Sequence, residues 1–188
     1  MKTLILNGCN RSDQYAMGLL EQLITVLGEG DAVPQIIDLE MLRIADCNGC
    51  FGCWTRTPGE CVIRDDAPAV TAQLAYADRI IFFCPVVFGG FAPQLKRVLE
   101  RSISLLLPFM RLYHGELHHP PRYKREYELC SVGILNQTDP EVAACFRERT
   151  RRLALNFNGS RFSWGTLVRG EILDSSRLRA MVAVREAL

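Results

Sequence analysis

The chain has 188 residues, of which 48% are hydrophobic and 23% are charged, so it is long enough for one substantial core and short for two ordinary domains. We therefore treat residues 1–188 as a single domain. The formal net charge is only +1, which argues against a dedicated nucleic-acid-binding protein. No apolar run approaches the roughly 20 residues that cross a bilayer, and no secretory signal is visible, so we expect a cytoplasmic protein without a membrane segment.

Strand-like and helical segments alternate along the chain. Apolar, β-branched or aromatic runs predict five strands, over residues 3–7, 35–39, 78–84, 128–135 and 161–167. Helical spacing of apolar residues predicts five helices, over residues 14–28, 67–77, 93–106, 140–157 and 175–188. We therefore expect an α/β protein with a flavodoxin-like doubly wound five-stranded parallel sheet, in the order 2-1-3-4-5, and helices on both faces.

In such a sheet the ligand binds at the carboxyl ends of the strands, where the order reverses between the first and the third strand. Residues 8–15, 84–92 and 136–139 follow three of the predicted strands and should line that crevice. Two other connections, residues 40–66 and 107–127, are too long for simple turns, and we expect them to carry function.

The loop after the first strand has the features of an anion site. It contains a glycine, carries an arginine and opens a helix, and both helix N-terminal N–H groups and a guanidinium suit a phosphate. Ser12 or Asp13 could equally do no more than cap the helix. The candidate phosphate-binding residues are Gly8, Cys9, Asn10, Arg11, Ser12 and Asp13.

The segment after the third strand combines a proline with paired glycines. Proline fixes the exit from the strand, and the glycines allow backbone conformations closed to other residues, so the backbone can approach a flat ligand. Phe88 and Phe91 could flank an aromatic ring or simply cover the end of the sheet. The candidate ring-binding residues are Pro85, Val86, Val87, Phe88, Gly89 and Gly90.

Four of the eight cysteines lie close together in the 40–66 loop, with the spacing C-x2-C-x2-C-x7-C: Cys47, Cys50, Cys53 and Cys61. Three thiolates at every third residue of a non-helical loop, closed by a fourth after the Pro58-Gly59 turn, suit a 4Fe–4S cluster. Structural zinc usually draws its ligands from two separated pairs and fits less well. The thiols could also stay reduced in a structural cap or form a redox disulfide.

The first loop Gly8–Arg11, the stretch CNGCFGCWTRTPGECVIRDD and the segment PVVFGGFAPQLKRVLER together resemble flavodoxin-fold NAD(P)H-dependent FMN reductases, especially those grouped with the iron-sulfur flavoproteins. The resemblance implies an oxidoreductase with FMN phosphate on the first loop, the flavin ring on the second, and NAD(P)H as electron donor. It also implies a 4Fe–4S cluster, a small-molecule or protein electron acceptor, and a homodimer or homotetramer. We assign no catalytic residue, because the flavin carries the chemistry.

The first loop departs from the family pattern. Where relatives usually read GSPR and later a threonine, this chain has Cys9, Asn10 and Ala16 and adds the acidic Asp13, so two phosphate-bonding hydroxyls are missing. Two other functions therefore stay open. One is a non-catalytic electron carrier or redox sensor that binds FMN, and the other is a cysteine-rich metal-binding protein that has lost the flavin.

The 107–127 insertion carries all three histidines together with basic and aromatic residues. Because Pro120-Pro121 disfavours a helix, we do not expect its histidines to form a metal pair. We expect this segment to fold over the same carboxyl edge as the flavin. There it would form a subunit interface and a pocket wall, with Arg122 and Tyr123 nearest the ligand.

Overall fold

The computed structural model describes residues 1–29, 33–171, 174–183 and 186–188. In these ranges the strands are β1 Thr3–Asn7, β2 Gln35–Asp38, β3 Arg79–Val87, β4 Gly90–Phe91, β5 Arg111–Tyr113, β6 Glu116–His118, β7 Glu128–Leu135, β8 Arg161–Val168 and β9 Glu186–Ala187. The α-helices are α1 Gln14–Gly28, α2 Gly52–Thr55, α3 Ala67–Tyr76, α4 Pro93–Arg101, α5 Pro140–Asn156 and α6 Ser175–Val182.

The main sheet runs in the order β2-β1-β3-β7-β8-β9. Its first five members are the predicted strands, all parallel, so the predicted doubly wound order is confirmed. Two short strands extend it beyond the prediction: β9 pairs antiparallel with β8, and β4 folds back on β3.

Helices cover both faces of this sheet. The apolar residues of α3, α4 and α5 pack into one buried cluster, and those of α1 and α6 pack into a second cluster across the sheet. Buried strand residues such as Ile80 and Phe82 contribute to the first, and Ile81 and Phe83 to the second, as the alternation of side chains along a strand requires. No helix within the described residues is long and apolar enough to cross a membrane.

Two predicted helices were too long. The helix predicted to the last residue ends at Val182, and Glu186–Ala187 pair instead with β8; residues 184 and 185 lie outside the described ranges. Apolar spacing could not indicate this pairing, because it depends on the open edge of β8. The helix predicted over 93–106 ends at Arg101 and continues as a 3-10 turn, where the Ser102 hydroxyl donates to the Val98 carbonyl at 2.7 Å.

The 107–127 insertion lies at the amino edge of the sheet, and the prediction that it covers the carboxyl edge was wrong. Its hairpin β5–β6 is tied to the segment before β8, where the Tyr113 hydroxyl donates to the Gly159 carbonyl at 3.3 Å. Arg125 pairs at 2.5 Å with Asp78, which precedes β3. The physical reason is that α4 runs antiparallel to the strands. The insertion, which follows α4, therefore starts at the amino ends of the strands.

Candidate functional site

The first candidate loop is shaped by buried Asn7 at the end of β1. Its amide Nδ2 donates to Asp38 Oδ1 at 2.7 Å, and its Oδ1 accepts from the Cys9 backbone N–H at 3.0 Å. The backbone N–H of Gly8, which follows Asn7, donates to the Phe83 carbonyl at 2.8 Å. The chain therefore leaves β1 in close contact with β3. A Cβ at Gly8 would lie 3.1 Å from that of Cys84, which explains the glycine.

The backbone N–H groups that follow are held by acceptors of the protein itself. The Arg11 N–H donates to Glu40 Oε2 at 2.6 Å, and the Ser12 N–H donates to Asn10 Oδ1 at 2.9 Å. Glu40 is exposed and lies on the turn after β2. The Arg11 N–H therefore binds an anionic oxygen, and a phosphate that used this N–H would have to displace the Glu40 carboxylate.

Asp13 has two roles in this loop. It caps α1 by accepting from the Ala16 N–H at 3.1 Å, and it forms a two-pronged ion pair with Arg169 at 2.8 and 2.6 Å. The hydrogen bond from Arg169 holds the pKa of Asp13 below its ordinary value. Arg169 also stacks over Tyr15 and lies near Asn136 of the third predicted loop. Sequence reasoning missed Arg169 and Glu40, because nothing local links them to residues 8–13.

The second candidate loop is a tight hairpin rather than an irregular turn. Pro85, Val86 and Val87 belong to β3, and the turn residues Phe88 and Gly89 have φ of +49° and +70°. Positive φ at both positions is the geometry of a two-residue type I′ hairpin turn. Phe88 is 99% exposed, and a positive φ is an uncommon and strained conformation for a bulky residue.

Phe91, the other aromatic residue predicted to flank a ring, is occupied elsewhere. It packs against Phe82 and Phe146, with ring centroids 5.8 and 5.4 Å away. Of the two aromatic candidates, Phe88 is the one open to a ligand. Burial raises the pKa of the Cys84 thiol to about 12 and also raises the pKa of the Cys9 thiol. Both thiols therefore stay protonated at neutral pH and are poor nucleophiles.

The four clustered cysteines Cys47, Cys50, Cys53 and Cys61 all line one cavity of about 610 Å³. The prediction of a non-helical loop is wrong at one point, because Cys53 lies on the single-turn helix α2. This helix begins after Phe51, which has a positive φ of +54°. The Gly52 N–H donates to the Cys50 sulfur at 3.4 Å. Burial and the neighbouring thiols raise the pKa of Cys53, so charge on all four sulfurs requires a compensating cation.

In the described residues the four thiols share a cavity but do not form a site for a single metal ion. Across the part of the chain that the structure describes, no group of three His, Cys, Asp or Glu side chains is close enough to hold one metal ion. A single zinc ion needs four ligands about 2.3 Å from its centre. Four cysteine sulfurs are also the ligands of a 4Fe–4S cluster, so the residues present suit such a group by their chemistry.

A buried ion pair closes the cavity on the side of α4. Arg101, 1% exposed, donates to both carboxylate oxygens of Asp65 at 2.7 and 2.9 Å and to the Ala45 carbonyl at 2.9 Å. Although burial opposes it, hydrogen bonding from Arg101 holds the pKa of Asp65 below its ordinary value. The pair fastens both ends of the cysteine loop to α4.

The two candidate sites lie at opposite ends of α4. Residues 85–90 lead into its first residue, Pro93, whereas the cysteine cavity is lined by Leu99, Arg101 and Ile103 at and beyond its last turn. Eight residue steps of 1.5 Å separate these ends by about 12 Å. Arg122 and Tyr123, predicted to lie beside the flavin, are instead 3.3 and 3.6 Å from a Cβ built at Gly59 of the cysteine loop.

The curated relatives of the chain are iron-sulfur flavoproteins. That of Methanocaldococcus jannaschii is 30% identical over 109 residues, and that of Methanosarcina thermophila is 29% identical over 105 residues. These matches cover 58% and 56% of this chain but only 55% and 54% of the relatives, so the chain spans about half the length of the curated relatives it matches.

Solved structures share the fold at low identity. An NAD(P)H:quinone oxidoreductase from Methanothermobacter marburgensis superposes with a TM-score of 0.70 at 16% identity, covering 96% of both chains. An FMN-dependent NADH-azoreductase from Bacillus anthracis, solved with FMN, superposes with a TM-score of 0.60 at 10% identity, covering 95% of this chain and 92% of that one. At such identities the likeness establishes the fold alone.

A family model gives the more direct result. The model described as NADPH-dependent FMN reductase matches residues 1–115, which include β1, the first loop, the cysteine loop, the β3–β4 hairpin and α4. The matched part exceeds half of the 188 residues. The chain belongs to the NADPH-dependent FMN reductase family.

Proposed function

We propose that the chain is an FMN-dependent NAD(P)H oxidoreductase, with the FMN phosphate on residues 8–13 and the flavin ring against residues 85–90. The observation that carries this proposal is the carboxylate of Glu40 on the Arg11 N–H at 2.6 Å, at the point where the strand order reverses. The Arg11 N–H thus binds an anionic oxygen, and a phosphate could take the place of the Glu40 carboxylate. Bound there, FMN would accept a hydride from reduced nicotinamide and pass the electrons to an acceptor.

The side chains around this crevice have separate tasks in the proposal. The exposed guanidinium of Arg11 adds a two-pronged donor for phosphate oxygens, and Gly8 lets the loop pass close to β3. Phe88 offers an uncovered aromatic face at the tip of the hairpin, where it can shield a flat ring from water. Asp13 and Arg169 hold the start of α1 and thereby the orientation of the phosphate loop.

The proposal includes a 4Fe–4S cluster on Cys47, Cys50, Cys53 and Cys61. Support comes from the cavity that these thiols share and from the names of the curated relatives. A cluster would supply one-electron transfer, and the chain's own contribution would be four soft ligands and the positive charge of buried Arg101. The acceptor is a small molecule or a protein.

The oligomeric state is also part of the proposal. The hairpin β5–β6 exposes Leu112 and Leu117, which lie opposite each other at 73% and 67% exposure, and Phe109 beside them is 67% exposed. Burial of such side chains between copies of the chain would stabilise a homodimer or homotetramer. Sedimentation of the purified protein measures the oligomeric state directly.

Titration of FMN into the apoprotein tests the flavin site. Binding should quench flavin fluorescence, and Arg11→Ala should weaken it about 5- to 30-fold, because a charge-assisted hydrogen bond to phosphate contributes about 1–2 kcal/mol. Arg64→Ala, which removes an equal charge from an exposed position of the cysteine loop, is the matched control and should bind like wild type. NAD(P)H oxidation by the flavin-loaded protein is the test of the activity. Absence of binding at high micromolar FMN refutes the flavin site.

Iron analysis after anaerobic reconstitution tests the cluster. We expect about four irons per chain and a loss of iron and visible absorption when any one of the four cysteines is replaced by serine. Cys145→Ser is the matched control, because Cys145 is exposed and lies on α5. Unchanged iron content in one of the four loop variants contradicts the four-ligand assignment.

One observation favours a second function, a metal-binding protein without flavin. The Ser12 and Asp13 N–H groups donate to oxygens of Asn10 within the loop, and the carboxylate of Asp13 stands at its end. In that case iron would bind and FMN would not. The FMN titration and the iron analysis together distinguish this function from the oxidoreductase. FMN binding without NAD(P)H oxidation would instead indicate an electron carrier or redox sensor.

A further inference from the structure

The cysteine cavity extends well beyond its four thiols. Its other walls come from α4 and the turn after it, from the carboxyl end of α5, and from the insertion, and most of this surface is apolar: Leu99, Ile103, Leu106, Leu153 and Phe157. A volume of about 610 Å³ lies within the range of small-molecule sites, which are mostly apolar with few polar groups. The space is therefore large enough for an organic ligand.

Phe51 and His119 line one side of this space, and the ring of Trp54 is in contact with both. Phe51 stacks on Trp54 with centroids 5.2 Å apart, and Trp54 meets the His119 ring at 4.8 Å. The indole N–H of Trp54 is fixed by the carbonyls of Leu106 and Ile103, at 3.0 and 3.2 Å. Such rigid flat walls favour a flat ligand over a branched one.

One polar group on the cavity wall has a defined hydrogen-bonding role. His119 Nδ1 contacts the Phe109 carbonyl at 2.9 Å, and because a carbonyl can only accept, Nδ1 carries the proton and Nε2 of the neutral ring is an acceptor. Asn156 also lines the cavity, and its side-chain amide is engaged with His118 at 3.1 Å. The acceptor at His119 matches a hydroxyl group, which can donate to it.

We propose that this cavity is a second ligand site, separate from the flavin crevice, and that it binds an uncharged aromatic molecule bearing a hydroxyl group. The ring lies against the aromatic and aliphatic walls, and the hydroxyl donates to His119 Nε2. The site needs neither FMN nor nicotinamide, because it lies at the other end of α4 from residues 85–90.

Calorimetric titration of the full chain with 2-naphthol tests this site. We expect saturable binding to one site, and about 5- to 10-fold weaker binding of 2-methoxynaphthalene, which has the same ring and oxygen but no hydroxyl proton. His119→Phe keeps a flat ring beside Trp54 and removes the acceptor. It should reduce the affinity for 2-naphthol to that for the methoxy compound and leave the latter unchanged. Equal affinity of wild type for the two ligands refutes the hydroxyl assignment.

A cavity-filling variant tests the location. Leu153→Trp should abolish binding of both ligands, whereas Val33→Trp places the same side chain at an exposed position before β2, outside the cavity, and should bind like wild type. Cooperative thermal unfolding of both variants establishes that they are folded. A folded Leu153→Trp protein that binds 2-naphthol as tightly as wild type overturns the proposal.

The same titration after anaerobic iron loading tests whether the ligand and a cluster can occupy the cavity together. We expect 2-naphthol to bind protein that has taken up iron, because the apolar walls extend past the thiols. If uptake of iron abolishes binding, the cavity belongs to the cluster alone and the ligand site is refuted. None of these measurements depends on FMN, so they can fail while the proposed oxidoreductase activity stands, and the converse also holds.

Discussion

Glu40 provides a direct test of the proposed flavin site, because its carboxylate would compete with the phosphate of FMN for the Arg11 N–H. Its Oε2 lies 2.6 Å from the Arg11 backbone nitrogen, so a phosphate that uses this N–H must displace it. Glu40→Gln keeps the length of the side chain and removes the charge. We therefore expect this substitution to tighten FMN binding.

The magnitude follows from the exposure of Glu40. Solvent weakens a charge-assisted contact of an exposed carboxylate, so its net contribution is about 0.5–1 kcal/mol. At 1.4 kcal/mol for each factor of ten, the Kd for FMN should fall about 2- to 5-fold. Salt should narrow the difference between the proteins, because it screens the repulsion between the carboxylate and the phosphate.

Flavin fluorescence quenching at low and high salt measures this effect. Glu21→Gln, at an exposed position of α1, makes the same charge change outside the loop and should resemble wild type. If Glu40→Gln binds FMN no more tightly than Glu21→Gln does, the carboxylate is not a competitor. Weaker binding would mean that Glu40 assists FMN, which would falsify the reasoning.

Three further predictions concern stability. Asp65→Ala should lower the free energy of unfolding by about 3–5 kcal/mol in urea denaturation, because it leaves the charge of Arg101 buried without a partner. A loss below about 1 kcal/mol would contradict this prediction. Gly89→Ala should cost about 1–3 kcal/mol, since φ is +70° and the new Cβ would lie 2.7 Å from Cys145 Sγ, and Cys145→Ala should restore part of that loss. Asp13→Asn keeps the helix cap and removes the ion pair. The pKa of Asp13 is lowered in the folded protein, so wild type should be more stable than the variant above the pKa of aspartate in the unfolded chain. This difference in the free energy of unfolding should vanish as the pH falls through the folded pKa of Asp13. A difference that does not change with pH excludes the ion pair as its cause.

Local patterns along the chain determined most of the architecture. The bounds of β1, α1 and β7 match the predicted residues, and the parallel order of five strands followed from the alternation of strands and helices. The cysteine spacing and the glycine loop also identified the residues that now carry the proposals. These features are readable because each depends on neighbours a few residues apart.

Only the tertiary structure decided what surrounds those residues. Glu40 and Arg169 reach the first loop from 29 and 156 residues away, and Arg101 meets Asp65 across 36 residues. The direction of α4 separates the cysteine cavity from residues 85–90 and brings the insertion to the opposite edge of the sheet. No periodicity encodes such contacts, because they arise when distant segments pack together and each charge finds a partner in space rather than along the chain.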